Sequence, residues 1–235
     1  MKRFFLWGLS VTSSVMFFLL SCSHKPSSPM LVEAISENNV EEVKTLLADP
    51  EVLQRELNPN KKISGLSKPI ILAIINRNND IVKLLVEAGA DINVDDGNNT
   101  GDTPLILSMI SKNDELVKFL IDHGADVNKP NNFGITPFWG ATASQKIDYV
   151  KLCISNGANI DQPGRAIDPL KQYDRIVESI TPLMIASCQG NSEIVKLLIE
   201  SGASKDLKDS LGRSALVYAG VAKKDLIVDL LKEAK

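Results

Sequence analysis

An all-α repeat solenoid of about six stacked helical units is the fold that the 235-residue sequence predicts, and three observations predict it. A ladder of helix-start signals recurs as Thr103-Pro104-Leu105, Thr136-Pro137-Phe138 and Thr181-Pro182-Leu183, with a weaker Ser214-Ala215-Leu216 placed 33 residues after Thr181. A second ladder, Gly89-Ala90, Gly124-Ala125, Gly157-Ala158 and Gly202-Ala203, runs in phase with it at intervals of 35, 33 and 45. Composition is the third observation. The chain is 44% hydrophobic yet only 5% aromatic, which suits a layered core of Leu, Ile, Val and Ala. A period of about 20–50 residues marks such architectures, because one unit alone cannot bury its apolar face and neighbours must stack.

The N-terminal segment stands apart from this pattern. Lys2-Arg3 precedes an apolar run over residues 4–20, the order of a secretory signal, and the run is marginal for a bilayer span of about 20 apolar residues. It closes on Leu19-Leu20-Ser21-Cys22, followed by a polar tether to residue 28. This resembles a bacterial lipobox, with a leucine three residues before the cysteine and a small residue just before it. The resemblance implies a signal peptide over 1–21, cleavage before Cys22, and acyl chains on Cys22 that hold the protein to a membrane. Leu20 is bulkier than the residue usual at its position, and an ordinary secreted protein or an uncleaved anchor are the other readings. Cleavage removes Lys2, Arg3 and no acid, moving the net charge from −3 to −5, so lipid and not charge must hold the body to the bilayer. Ser23 in place of Asp favours the outer membrane, facing the periplasm, by the same resemblance.

Each repeated residue type has a mechanical reason. Thr caps a helix by accepting from a free backbone N–H, and Pro occupies the first turn, where its missing N–H costs nothing. Apolar residues at helical spacing then give a short inner helix. The segments Ile81-Val82-Lys83-Leu84-Leu85, Leu116-Val117-Lys118-Phe119-Leu120, Tyr149-Val150-Lys151-Leu152-Cys153 and Ile194-Val195-Lys196-Leu197-Leu198 give a longer outer one. The Gly of Gly-Ala ends the outer helix in the left-handed region. Asp91-Ile92-Asn93 and Asp126-Val127-Asn128 lead into hairpin-like fingers. The units fall near 30–62, 63–97, 98–130, 131–162, 175–207 and 208–235, within a domain at 29–235. The first lacks both signatures, as an N-terminal cap should, and the polar residues of the last suit an outward-facing terminal helix.

This pattern resembles the ankyrin repeat over essentially all of residues 29–235, most closely from 68 to 213. The His usual after Thr-Pro-Leu is absent, and Ile71, Ile106, Trp139, Met184 and Val217 fill its slot. An inter-unit hydrogen bond is thereby lost, with apolar packing expected in its place. The interval from Pro137 to Pro182 is 45, so 12 residues are inserted within 162–180. A loop that contacts a partner and an idle loop fit equally, since doubling loop length costs only about 0.6 kcal/mol. Plain loop growth is expected at 95–102 and within 49–67.

The resemblance implies a non-enzymatic scaffold that recognises a protein partner through finger tips and the concave inner-helix face, acting as a monomer. Carried over slot by slot, the finger contacts are Asp102, Asn132, Phe133, Ile135, Ser210, Leu211 and Arg213. The inner-helix contacts are Ile75, Asn76, Ile110, Ser111, Ala143, Ser144, Cys188 and Gln189, and Tyr173 joins them from the insert. Trp139 either fills the vacant His slot or lines the groove. Phe133, Phe138, Trp139 and Tyr149 cluster in one unit; Phe138 and Tyr149 sit in core slots, and aromatics are common interface anchors, so the groove there is the expected binding centre.

Other functions have weaker support. A net charge of −3 carries no footprint for nucleic acid. Three cysteines make no disulfide framework, and no C-x-x-C, His/Cys cluster or phosphate-cradling glycine loop points to a metal or cofactor. His24 and His123 lack partners at motif spacing. An enzyme using groove Cys188, an immunity protein against an envelope toxin, and an exported effector are the alternatives. Cys153 reads as a core residue, and a Cys153–Cys188 disulfide is disfavoured because the two slots point differently.

Overall fold

A computed structural model describes residues 30–56 and 68–233. The expected signal, Cys22, the tether and residues 57–67 lie outside the described residues. Helices pair in sequence: α1 (Met30–Ser36) with α2 (Val40–Leu47), followed by α3 (Pro50–Glu56), then α4 (Pro69–Ile75) with α5 (Asn79–Glu87). The order continues with α6 (Pro104–Ile110) and α7 (Asp114–Asp122), then α8 (Pro137–Ala143) and α9 (Ile147–Ser155). After a two-stranded sheet come α10 (Pro182–Gln189) with α11 (Ser192–Glu200), and α12 (Ala215–Val221) with α13 (Asp225–Glu233). The first helix of each pair packs on the first helix of the next, which gives a helical repeat fold. Helix α3 replaces loop growth expected in that region. No helix among the described residues is long and apolar enough to cross a membrane.

Capping follows the residue types. Thr103, Thr136 and Thr181 side chains accept from the backbone N–H of Ile106, Trp139 and Met184, at 3.3, 3.0 and 3.3 Å. Asn78, Asn113 and Asn191 cap the outer helices in the same way. Gly89, Gly124, Gly157 and Gly202 end those helices at φ of 88, 89, 78 and 91°. A second left-handed position recurs at the turn inside each pair, with no signature in the sequence. Asn38, Arg77, Lys112, Gln145 and Lys223 hold φ of 54–58° there, and only α10–α11 uses glycine, Gly190. A Cβ on Gly190 would meet the Lys224 side chain at 2.6 Å.

One apolar core runs the length of the stack, through Leu85, Leu120, Cys153, Leu198 and Leu231. Its C-terminal face departs from expectation. Leu216, Val217, Val221 and Leu226 are exposed on α12 and α13, so the last pair does not present a wholly polar face.

The insert is not an idle loop. It forms an antiparallel hairpin of β1 (Gly164–Ile167) and β2 (Ile176–Ile180), pairing Gly164 with Ile180, Ala166 with Val177 and Ile167 with Ile176. Val177 and Ile180 are fully buried. The hairpin therefore belongs to the body, adding a small sheet to an otherwise helical fold.

Candidate functional site

Two adjoining regions gather the candidate residues: an open stretch of the concave face over α4, α6 and α8, and a closed one beneath the hairpin. On the open stretch Ile75 and Ile110 end successive inner helices and are 58% and 67% exposed. An apolar residue left in water at the same place on two neighbouring units is unusual for a surface that only has to be soluble. Ser111 and Ser144 beside them are exposed, their hydroxyls turned back to the carbonyls of Ser108 and Ala141. Asn76 is half-buried and donates to Ile35 O at 3.1 Å. A cavity of about 70 Å³ opens between α6 and α8, lined by Ile106, Met109, Ile110, Thr136, Pro137, Gly140 and Ser144.

The fingers stack by backbone and amide bonds. Asn132 donates from its backbone N–H to Thr100 O and from Nδ2 to Asn99 O. Phe133 is 37% exposed and not bare, because the Arg165 guanidinium lies over its ring at 5.1 Å. Ile135 is half-buried, packed on the core. Asp102, expected at a finger surface, is buried and accepts from Asn131 Nδ2 at 2.7 Å. Its carboxylate thus ties one finger to the next.

Trp139 resolves toward the vacant slot. It is buried, and its Nε1 donates to Ile180 O at 2.8 Å, across to the next unit. At this position the inter-unit hydrogen bond expected to be lost is restored by an indole.

Beneath the hairpin lies the largest departure from the sequence-based reading. Arg213, expected at a finger tip, is buried between two carboxylates, with Nη2 3.0 Å from Asp168 Oδ1 and Nε 2.8 Å from Asp209 Oδ2. Tyr218 donates to Asp209 Oδ2 at 2.8 Å and lies under the guanidinium at 4.9 Å from ring centre to carbon. Asp168 also accepts from the backbone N–H groups of Leu170, Gln172 and Tyr173. Burial pushes both carboxyls up, but Arg213 and these backbone donors outweigh it and hold Asp168 below the ordinary carboxylate value; Asp209 is lowered similarly by Arg213 and Tyr218. Partnered in this way, the ions fasten the insert to α12, and Arg213 is buried in that group and not presented at a finger tip.

The remaining candidates are partly covered. The Cys188 thiol donates to Pro169 O of the insert at 3.5 Å, and burial, then the Asp168 charge, pushes its pKa up. A thiol held protonated lacks the thiolate that a nucleophile needs, which argues against the enzymatic alternative. Cys153 is fully buried, its pKa pushed up to about 12, and both thiols are free. Gln189 Nε2 donates to Ala143 O at 2.6 Å, joining α8 to α10, while its Oε1 is buried without a partner. Ser210 pairs with Glu178 of β2 through its backbone N–H and its hydroxyl, and Leu211 packs on the core. Tyr173 stays 52% exposed beside Arg175.

The described geometry agrees with comparison to known families. A family model described as ankyrin repeats (3 copies) matches residues 10–96, 94–164 and 165–235. No curated protein matches the chain. With matched segments covering most of its length, the chain belongs to the ankyrin-repeat family.

Proposed function

We propose that this protein is a binding scaffold that holds a protein partner across the concave face over α4, α6 and α8. The observation that carries the reading is the exposure of Ile75 and Ile110 at equivalent ends of successive inner helices, beside an open cavity. Ankyrin repeats generally mediate protein–protein interaction and their proteins are typically non-enzymatic, which supports it. About six units supply the rigidity, so little ordering cost falls on this side of the complex when a partner docks. The test is crosslinking of the wild type and of the Ile75→Asp/Ile110→Asp variant to extracts of a bacterial envelope. A partner captured by the wild type and lost by the variant, with both equally stable, is the expected result. Identical capture by both would move the site elsewhere.

The finer reading places this scaffold in the bacterial envelope, held by acyl chains on Cys22, with the outer membrane facing the periplasm as its location. Its support is the order of basic start, apolar run, Ser21-Cys22 and polar tether. Cys22→Ser should abolish acylation and signal removal, so the variant should migrate as the longer precursor. Wild-type mobility and detergent partitioning in the variant would refute the lipid anchor.

A further inference from the structure

The inner helices from α4 to α12 end at one edge of the concave face, and the residues there are one-sided in charge. Ile75-Asn76-Arg77 closes α4, Ile110-Ser111-Lys112 closes α6 and Ala143-Ser144-Gln145 closes α8; Cys188-Gln189-Gly190 and Val221-Ala222-Lys223 complete the series. No acid stands in these five triplets, although the chain holds 29 Asp and Glu against 26 Lys and Arg; the matching Ser36-Glu37-Asn38 of α1, outside the stretch over α4, α6 and α8, carries the acid Glu37. Arg77 and Lys112 are exposed and pair with no carboxylate among the described residues. Asp80 and Glu115 do line the polar cleft beside Arg77, but Glu115 is already taken by Lys83 and Asn79.

The finger side of the same groove carries a third cation. Arg165 donates through Nη2 to Asn132 O and stacks on Phe133, while its Nε is buried with no acceptor. A cation at a helix C-terminus is favoured by the helix dipole, which would account for the sign of Arg77 and Lys112. It does not account for bare isoleucines next to them, nor for Arg165, which stands on β1. The cavity of about 70 Å³ lies on this face between α6 and α8, with the exposed Ile110 in its lining.

We propose that the occupant of this groove is a polypeptide segment with an aliphatic side chain flanked on both sides by carboxylates. The aliphatic group enters between α6 and α8, and the carboxylates meet Arg77 and Lys112 at one edge and Arg165 at the other. Complementary charge of this kind sets specificity and register more than raw affinity. The inference rests on the concave-face reading above and names the chemistry of its partner.

Three helices packed about 10 Å apart are spanned by an extended peptide of about 12 residues with margin. The experiment therefore measures fluorescence anisotropy of labelled peptides of that length against the full chain in detergent. One peptide has Leu at its centre with Glu flanks, and others carry Gln flanks, Lys flanks, or Ser at the centre with Glu flanks; an oligo-dT of similar length is the fifth probe. The expected result is preference for the Glu-flanked Leu peptide by at least about tenfold over every other probe. Arg77→Glu/Lys112→Glu should abolish that preference and favour the Lys-flanked peptide, and Ile110→Asp should weaken all the peptides. Equal binding of Gln-flanked and Glu-flanked peptides, still lost in Ile110→Asp, would overturn the acidic occupant and leave the concave site standing. Binding indifferent to Ile110→Asp would overturn both. Equal binding of oligo-dT, or no binding of any peptide, would overturn this inference, the second while leaving capture of a folded partner as the measure of the scaffold.

Discussion

The buried Asp168 accepts hydrogen bonds from three backbone groups and one guanidinium, so its proton equilibrium is tied to folding. Asp168 and Asp209 both ionise below the ordinary carboxylate value of about 4 when folded. A depressed folded pKa means that the contribution to stability is complete above the unfolded value and disappears as pH falls through the folded one. Urea unfolding should therefore show a midpoint that is steady from neutral pH to about 5 and drops below about 4. Asp168→Asn should lose about 2 kcal/mol at neutral pH, the worth of a charged hydrogen bond, and its curve should converge on the wild type in strong acid. A constant gap at all pH would show the carboxylate charge to be irrelevant. Residues of this kind were the least legible in the sequence. Spacing puts Arg213 on a finger, and nothing local reveals that an inserted strand brings Asp168 to it. Trp139 was legible by half: its slot followed from the ladder, but its acceptor, Ile180 O, depends on where the insert ends. Ile75, Ile110 and Ser144, by contrast, lie open as their slots imply, because inner-helix exposure is decided by the repeat itself.

At the level of elements, helix ends were readable because caps are settled within a few residues. Thr-Pro and Gly-Ala each act through their own N–H groups and φ angles, and the structure places them accordingly. The inner turns were not readable, since Arg, Lys, Gln and Asn give no sign of a left-handed backbone. Gly124 allows a clean test of the backbone term, because a Cβ there meets nothing within 4 Å while φ is 89°. Gly124→Ala should cost about 1 kcal/mol and Gly124→Val about 2–3 kcal/mol, from strain alone. Equal melting temperatures for all three proteins would show the turn to be freely remodelled. The hairpin gives the second test. Removing residues 163–174 restores the 33-residue interval and, by spacing alone, should be harmless. The structure predicts the reverse, for the deletion removes β1 and Asp168 and uncovers Val177 and Ile180, each worth about 1.5–3 kcal/mol of burial. A loss of at least about 6 °C in melting temperature is expected for a body of this size. No change would return the insert to the status of a tolerated loop.

Across the whole molecule, stability in such a stack is nearly a sum over neighbours, with each pair supported by the pairs beside it. Contacts between α10 and α12 are denser than between other successive inner helices, and the Asp168–Arg213–Asp209 group and the Ser210–Glu178 pairing add to them. Amide hydrogen exchange should accordingly be slowest in α8, α10 and α12, which the hairpin joins, and faster in α4 and α6, which precede it in the stack. Uniform protection along the chain would mean that the hairpin adds no local stability.

The hairpin also touches both of its neighbours, through Arg165 to Asn132 on one side and Glu178 to Ser210 on the other. Under tension that makes it a rivet. Pulled from its two ends, a plain array peels one unit at a time, each releasing about 110 Å of chain. Here the pairs before α8 should yield in such steps, whereas α8 to α13 should hold to a higher force and then part together, releasing about 330 Å at once. A scaffold moored to a surface and loaded by its partner would keep its C-terminal half intact while the first pairs gave way.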